Sequence, residues 1–150
     1  RALLPQVSRE EISQVKILVD INVVLDVLLD RRPWVAHSAR LLDAAERKTF
    51  TGYVAAHTIT TSHYLVAGAA GRTKAATAVT DLLRIFRVVP IEAADFAQAL
   101  VFGMPDFEDA VQASAAAKVG ADYIATRNGK DFKASPVKPR TPGELLALVS

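Results

Sequence analysis

Lys16-Ile-Leu-Val-Asp20-Ile-Asn22-Val-Val-Leu-Asp26-Val-Leu-Leu-Asp30 decides how this chain is read. Its first part is a short apolar run with a charge at its end, the pattern of a buried strand. Its second part sets Val23, Val24, Val27 and Leu28 at helical spacing, which predicts a helix over 22–29. A buried strand passing directly into a helix is the opening of an α/β unit. Asp30-Arg-Arg-Pro33 breaks that helix, and Pro33 is placed to open the next one, from about Trp34 to Arg47.

The same alternation continues outward. Strands are expected over 51–55, 85–89 and 123–126, with a short one near Val137. Helices are expected over 57–66 (closed by Gly68 and Gly71), 73–83, 93–101, 106–119 (stopped at Gly120) and 142–149. Strands alternating with helices imply parallel pairing, right-handed crossovers and helices on both faces of the sheet. Residues 1–15 read as an N-terminal extension, a turn or short helix, followed by one domain over 16–150. No repeat, low-complexity tract or linker divides it.

Composition narrows the class. Of 150 residues, 51% are hydrophobic but only 7% aromatic, so Ala, Val and Leu must build the core. The absence of cysteine excludes a disulfide framework and a thiolate metal site, and suits a reducing cytosol, so a cytoplasmic location is expected. The longest apolar stretch, 17–29, carries Asp20 and Asp26 and is too short to span a membrane. Glu10 and Glu11, with no apolar run, argue against a signal peptide. The net charge of +2 is segregated: Asp81 is the one acid among the basic residues of 47–91, Asp131 the one acid within 127–140, and acids gather at 20–30 and 106–109. This fits ordinary solvated faces, or an anionic pocket rimmed by cations that receives a polyanion.

In an open parallel sheet, ligands bind outside the carboxyl ends of the strands. Asp20 ends the first expected strand, Thr126, Arg127 and Asn128 follow the fourth, and the helix beginning at Asp106 precedes it. Asp106 and Asp109 are three apart and lie near one face of a first helical turn, while Glu108 points elsewhere. Crowded carboxylates raise one another's pKa, and a divalent cation relieves the repulsion. An all-oxygen ligand set favours Mg²⁺ or Mn²⁺ over zinc. The plainer reading stays open. Asp106 and Asp109 would serve a helix cap and first turn, Asp20 would cap the helix from Asn22, and Asp131 would be a surface residue. Asp26 and Asp30 read as exposed positions on the first helix.

The stretch from Ile17 to Trp34 resembles the opening of PIN domains, in which an apolar strand ends in Asp and Asn follows one residue later. Asp106-Phe-Glu-Asp109-Ala-Val-Gln resembles the third motif of that family, and Ala121-Asp-Tyr-Ile-Ala-Thr126-Arg127-Asn128-Gly-Lys-Asp131-Phe132 the fourth. The resemblance covers about residues 16–148, and three motifs in order are far more specific than any one. It implies a three-layer α/β/α fold with a central parallel sheet, and metal-dependent RNA cleavage as in VapC-type toxins. By position Asp20 would be the first metal ligand and Asp109 the second, with Asp106 and Glu108 in the acidic third motif. Asn128 and Asp131 would form the fourth element, with Asn22 and Thr126 supporting through hydrogen bonds. Arg127, Lys130 and Lys133 would contact flanking phosphates. A small antitoxin and a homodimer are the implied partners.

One departure stands out. Many PIN nucleases carry an acid on the helix after the second strand, yet no Asp or Glu occurs between Arg47 and Thr80. Ser62 or His63 occupies the matching stretch, so either Asp106 or Glu108 replaces the acid, or catalysis is weakened or lost. Three functions are therefore carried forward: a metal-dependent ribonuclease, a catalytically inactive PIN-like module that binds RNA or protein, and a phosphatase of the haloacid dehalogenase type. The last rests on one short motif and has Asn22 where a general acid would be needed.

Overall fold

The computed structural model describes residues 14–149, so the extension expected over 1–15 lies outside the described residues except for Gln14 and Val15. Five strands, β1 (Lys16–Val19), β2 (Thr51–Ala55), β3 (Arg87–Val89), β4 (Tyr123–Ala125) and β5 (Lys138–Arg140), form one sheet. The helices are α1 (Ile21–Leu28), α2 (Val35–Glu46), α3 (Ala56–Ala70), α4 (Arg72–Ile85), α5 (Ala93–Leu100), α6 (Phe107–Lys118) and α7 (Pro142–Val149), with a 3₁₀ turn over Gly129–Phe132. Strand order is β3-β2-β1-β4-β5 and every pairing is parallel.

Strand periodicity builds the layers. Ile17, Val19, Val54 and Ala125 face one way and pack with Val23 and Val24 of α1, Leu41 and Leu42 of α2, Leu82 of α4 and Leu145 of α7. Leu18, Tyr53, Ala55 and Ile124 face the other way and pack on Ala113, Ala115 and Ala116 of α6 and on Phe132. This is the three-layer α/β/α sandwich expected from the sequence. The small residues of α6 let it lie close over the centre of the sheet. Chain order reverses between β1 and β4, so the crevice outside their carboxyl ends is the topological switch point.

The larger differences in element boundaries fall at three places. Helix α3 runs through Gly68 and stops at Gly71, whose φ of +94° glycine adopts without a Cβ penalty. Strand β3 begins at Arg87 because Ile85 completes α4. The last strand lies at Lys138–Arg140, with Val137 buried just before it. Both edge strands, β3 and β5, have three residues; Pro139 sits within β5 and Pro90 directly follows β3. Among the described residues no helix is long and apolar enough to cross a membrane.

Asp26 corrects the sequence reading. It is not exposed but fully buried, because α1 packs on nearly every side. Its carboxylate accepts from Arg127 Nε at 3.0 Å and from Nη2 at 3.2 Å, while the Ser38 hydroxyl donates at 3.4 Å. The same guanidinium lies over the Trp34 ring, 4.0 Å from its centroid. The arginine expected to meet phosphate is thus committed to a buried partner that ties α1 to the loop after β4. Asp30 is exposed, as expected.

Breaking a buried pair by removing one partner strands the other charge. Arg127→Ala is expected to lower stability by about 3 kcal/mol in urea unfolding, with Arg127→Met plus Asp26→Leu recovering most of the loss. A loss well under 1 kcal/mol in the single variant would show that the pair is not a structural clamp.

Candidate active site

Asp20 stands where β1 turns into α1, at the switch point, and is 1% exposed. One carboxylate oxygen accepts from the Gln112 amide at 2.9 Å and the other from the Thr126 hydroxyl at 2.9 Å. The Asn22 backbone N–H donates to it more weakly, at 3.4 Å, which is the N-cap contact of α1. Gln112 is itself fixed, since its carbonyl oxygen accepts from Ile21 N at 2.8 Å. Thr126 in turn accepts from Asn128 N at 3.1 Å. Burial pushes the Asp20 carboxyl above its ordinary range, and the bonds from Gln112, Thr126 and Asn22 pull it partly back.

Asp109 is the centre of the acidic group. It is almost fully buried on the first turn of α6, and its pKa is pushed up to about 7 by burial first, then by the charges of Asp20, Asp106, Asp131 and Glu108. The structure therefore brings together the acids named from the sequence: one from the end of β1, three from the start of α6 and one from the 3₁₀ turn after β4. Asp106 is also the N-cap of α6, accepting from Asp109 N at 2.9 Å. The capping reading and the charge-cluster reading both hold for it. Asp131 and Glu108 are exposed at the rim.

Two site residues were missed. Gln112 was passed over as part of an Ala-rich helix, although α6 spacing puts it one turn beyond Asp109. His57, at the start of α3, is half-buried and feels the charges of Glu108 and Asp20. Burial holds its imidazole below the usual histidine range despite those acids. Its Nε2 is buried with no hydrogen-bond partner among the described residues. The expected stand-ins for the missing acid behave otherwise. Ser62 is fully buried with an unpartnered hydroxyl, and His63 is exposed and lines a cleft with Arg72 and Thr77 of α4.

The supporting residues divide in the same way. Asn22 supports Asp20 through its backbone, while its side-chain oxygen accepts from Arg31 at 3.4 Å. Lys130 and Lys133 are exposed, and neither makes an ion pair among the described residues. As the side chains stand, no three Asp, Glu or His among the described residues enclose an ion. In kind, the donors fit a hard divalent cation: they are all oxygen, net negative, and carry at Asp109 a repulsion that a cation relieves.

Comparison with curated proteins finds no match. Among solved structures, VapC20 of Mycobacterium tuberculosis, a sarcin-ricin loop cleaving toxin, superposes with a TM-score of 0.64 at 20% identity, covering 81% of this chain and 95% of that one. FitAcB from Neisseria gonorrhoeae gives 0.64 at 24% identity, covering 85% and 98%. VapBC2 from Rickettsia felis, bound to a DNA fragment from their promoter, gives 0.65 at 12%, covering 85% and 98%. At these identities the superpositions speak to the fold. The family profile of the PIN domain matches residues 16–130, a stretch that holds the switch point, the α6 acids and the β4 motif as far as Lys130. On that match, the chain belongs to the PIN domain family.

Proposed function

We propose that the chain is a metal-dependent ribonuclease that hydrolyses RNA phosphodiester bonds as the toxin of a toxin–antitoxin pair. The observation that carries this reading is Asp109, buried on the first turn of α6 at the sheet's switch point, where burial first and then the charges of Asp20, Asp106, Asp131 and Glu108 oppose its ionisation. Asp20 and Asp109, with Asp106 or Asp131, would hold Mg²⁺ or Mn²⁺. A divalent ion held there would supply charge neutralisation at the scissile phosphate and would lower the pKa of a bound water.

The chain's own residues do the rest. Gln112 and Thr126 hold Asp20 in one orientation, so it would meet a cation without side-chain freedom to lose. Burial and the neighbouring acids make Asp109 hold its proton more tightly than an ordinary carboxyl, and a bound cation would favour its release. Lys130 and Lys133 contact flanking phosphates, which gives salt-dependent affinity without sequence choice. Arg127, bonded to Asp26, steadies the β4 loop from behind the site. The resemblance to VapC-type toxins supports a small antitoxin as the blocking partner and a homodimer as the working form.

A second reading, a PIN module that binds RNA or protein without cutting, is favoured by one observation. On α3, His57 feels the charges of Glu108 and Asp20, and that helix carries no acid of its own. The phosphatase reading is not carried further, since the chain is a PIN domain.

Incubated with a labelled mixed RNA pool, the protein is expected to cut in Mg²⁺ or Mn²⁺ and not in EDTA. Asp20→Asn should lower the rate by at least about a hundredfold with the fold intact by circular dichroism. Equal cutting by that variant sinks the assignment, and no cutting by folded parent in either metal favours the second reading. A pH experiment tests Asp109 separately. Its folded pKa of about 7 lies above the ordinary 3.8, so the native state holds the extra proton between those values. Stability should therefore fall as pH rises through that window. Thermal melts should show Mn²⁺ raising Tm more at about pH 8 than at about pH 5, and Asp109→Asn flattening both trends. A Tm indifferent to both pH and metal would remove Asp109 from the site.

A further inference from the structure

Beside the acid cluster, between α5 and α6, lies a cavity of about 210 Å³ lined by His57, Phe96, Phe107, Glu108 and Val111. We propose that it is a subsite for one unpaired base of single-stranded RNA, with guanine the best-fitting base. The inference rests on the ribonuclease reading and adds to it a source of sequence preference.

Three observations converge there. Phe96 and Phe107 are 44% and 47% exposed in a chain with few aromatics, and their rings lie 25° from parallel with centroids 6.3 Å apart. Two aligned rings left at the surface form a face on which a base stacks. Glu108 is an acceptor with negative charge, so the cavity repels phosphate and admits a base instead of backbone. Among the bases, guanine presents two adjacent N–H donors on its Watson–Crick edge, which a carboxylate can accept together as a charge-assisted pair. The half-buried imidazole of His57 lines the same cavity and adds a third ring to its wall.

Position completes the case. Phe107 and Glu108 lie between Asp106 and Asp109 on the first turn of α6, so the base subsite adjoins the acids directly. A nucleotide whose phosphate rests at Asp109 carries its base toward Phe107. Exposed Leu100 and Val101 continue the apolar surface along α5 and beyond it. That continuation makes an interface between two copies of the chain the rival occupant.

The test reads base preference at the cut, not only activity. The parent and Phe107→Ala would be given the same random RNA pool and their cut ends sequenced. In addition, binding of short G-containing and C-containing oligonucleotides to the Asp20→Asn protein would be followed by fluorescence anisotropy, with and without Phe107→Ala. Phe96→Ala provides a second variant should Phe107→Ala fail to fold. The expected result is a guanine preference beside the cut that Phe107→Ala erases, with KM raised on the order of tenfold and kcat little changed. Glu108→Gln should shift the preference away from guanine. Unaltered cut-site preference in Phe107→Ala overturns the subsite while leaving the nuclease standing. If the parent cuts nothing, a guanine preference in binding that Phe107→Ala removes keeps the subsite and fails the nuclease, and its absence overturns both. A Phe107→Ala protein that halves its mass in light scattering with preference unchanged assigns the surface to a second copy and overturns the proposal.

Discussion

Everything at the switch point depends on keeping one carboxylate out of water. Asp20 is sealed beneath α6 and between the ends of β1 and β4, and a buried carboxylate is costly unless its oxygens are hydrogen-bonded. Gln112 and Thr126 meet that demand from positions 92 and 106 residues away in sequence. The same two bonds therefore lock α6 and β4 to the end of β1. Their donors are neutral, so they offset the desolvation only in part, and the carboxyl remains harder to ionise than usual.

Six residues on, Asp26 is equally buried and is treated in the opposite manner. It receives a guanidinium through two hydrogen bonds, and its charge is answered within the fold. The contrast separates structure from chemistry along a single helix. Where the chain needs only rigidity, charge is balanced; where it needs a receptive site, charge is left unbalanced and gathered at Asp109. The N-terminus of α6 contributes as well, since its free N–H groups favour negative charge, yet burial and four acids still win at Asp109.

Much of this could be read from the sequence, for local reasons. β1 and β2 are apolar runs whose alternate residues supply two cores, and the helices announce themselves by spacing and by Gly71 and Gly120. Asp20, Asp106 and Asp109 stood out because strand ends and helix starts are local features. What escaped depends on distant partners. The partner that answers the charge of buried Asp26 is Arg127, 101 residues later, and no periodicity along α1 predicts it. Gln112 looks like filler in an Ala-rich helix until Asp20 is placed opposite it. His57 was overshadowed by Ser62 and His63 because the turn at which α3 meets the site depends on how the helix leaves β2. β2 ends at Ala55 and α3 starts on the next residue, so His57 falls in its first turn while Ser62 and His63 fall one turn further on.

The outer strands bear on how such a domain meets other proteins. With β3 and β5 only three residues long, and a proline within one and directly after the other, neither margin offers a length of free backbone on which a foreign strand could lie down. Extension of the sheet from chain to chain is thereby discouraged at both sides. Any stable companion must grip side chains on the helical layers, so its selectivity is written in helix surfaces, which can diverge from one paralogue to the next while the sheet and its buried carboxylate stay as they are.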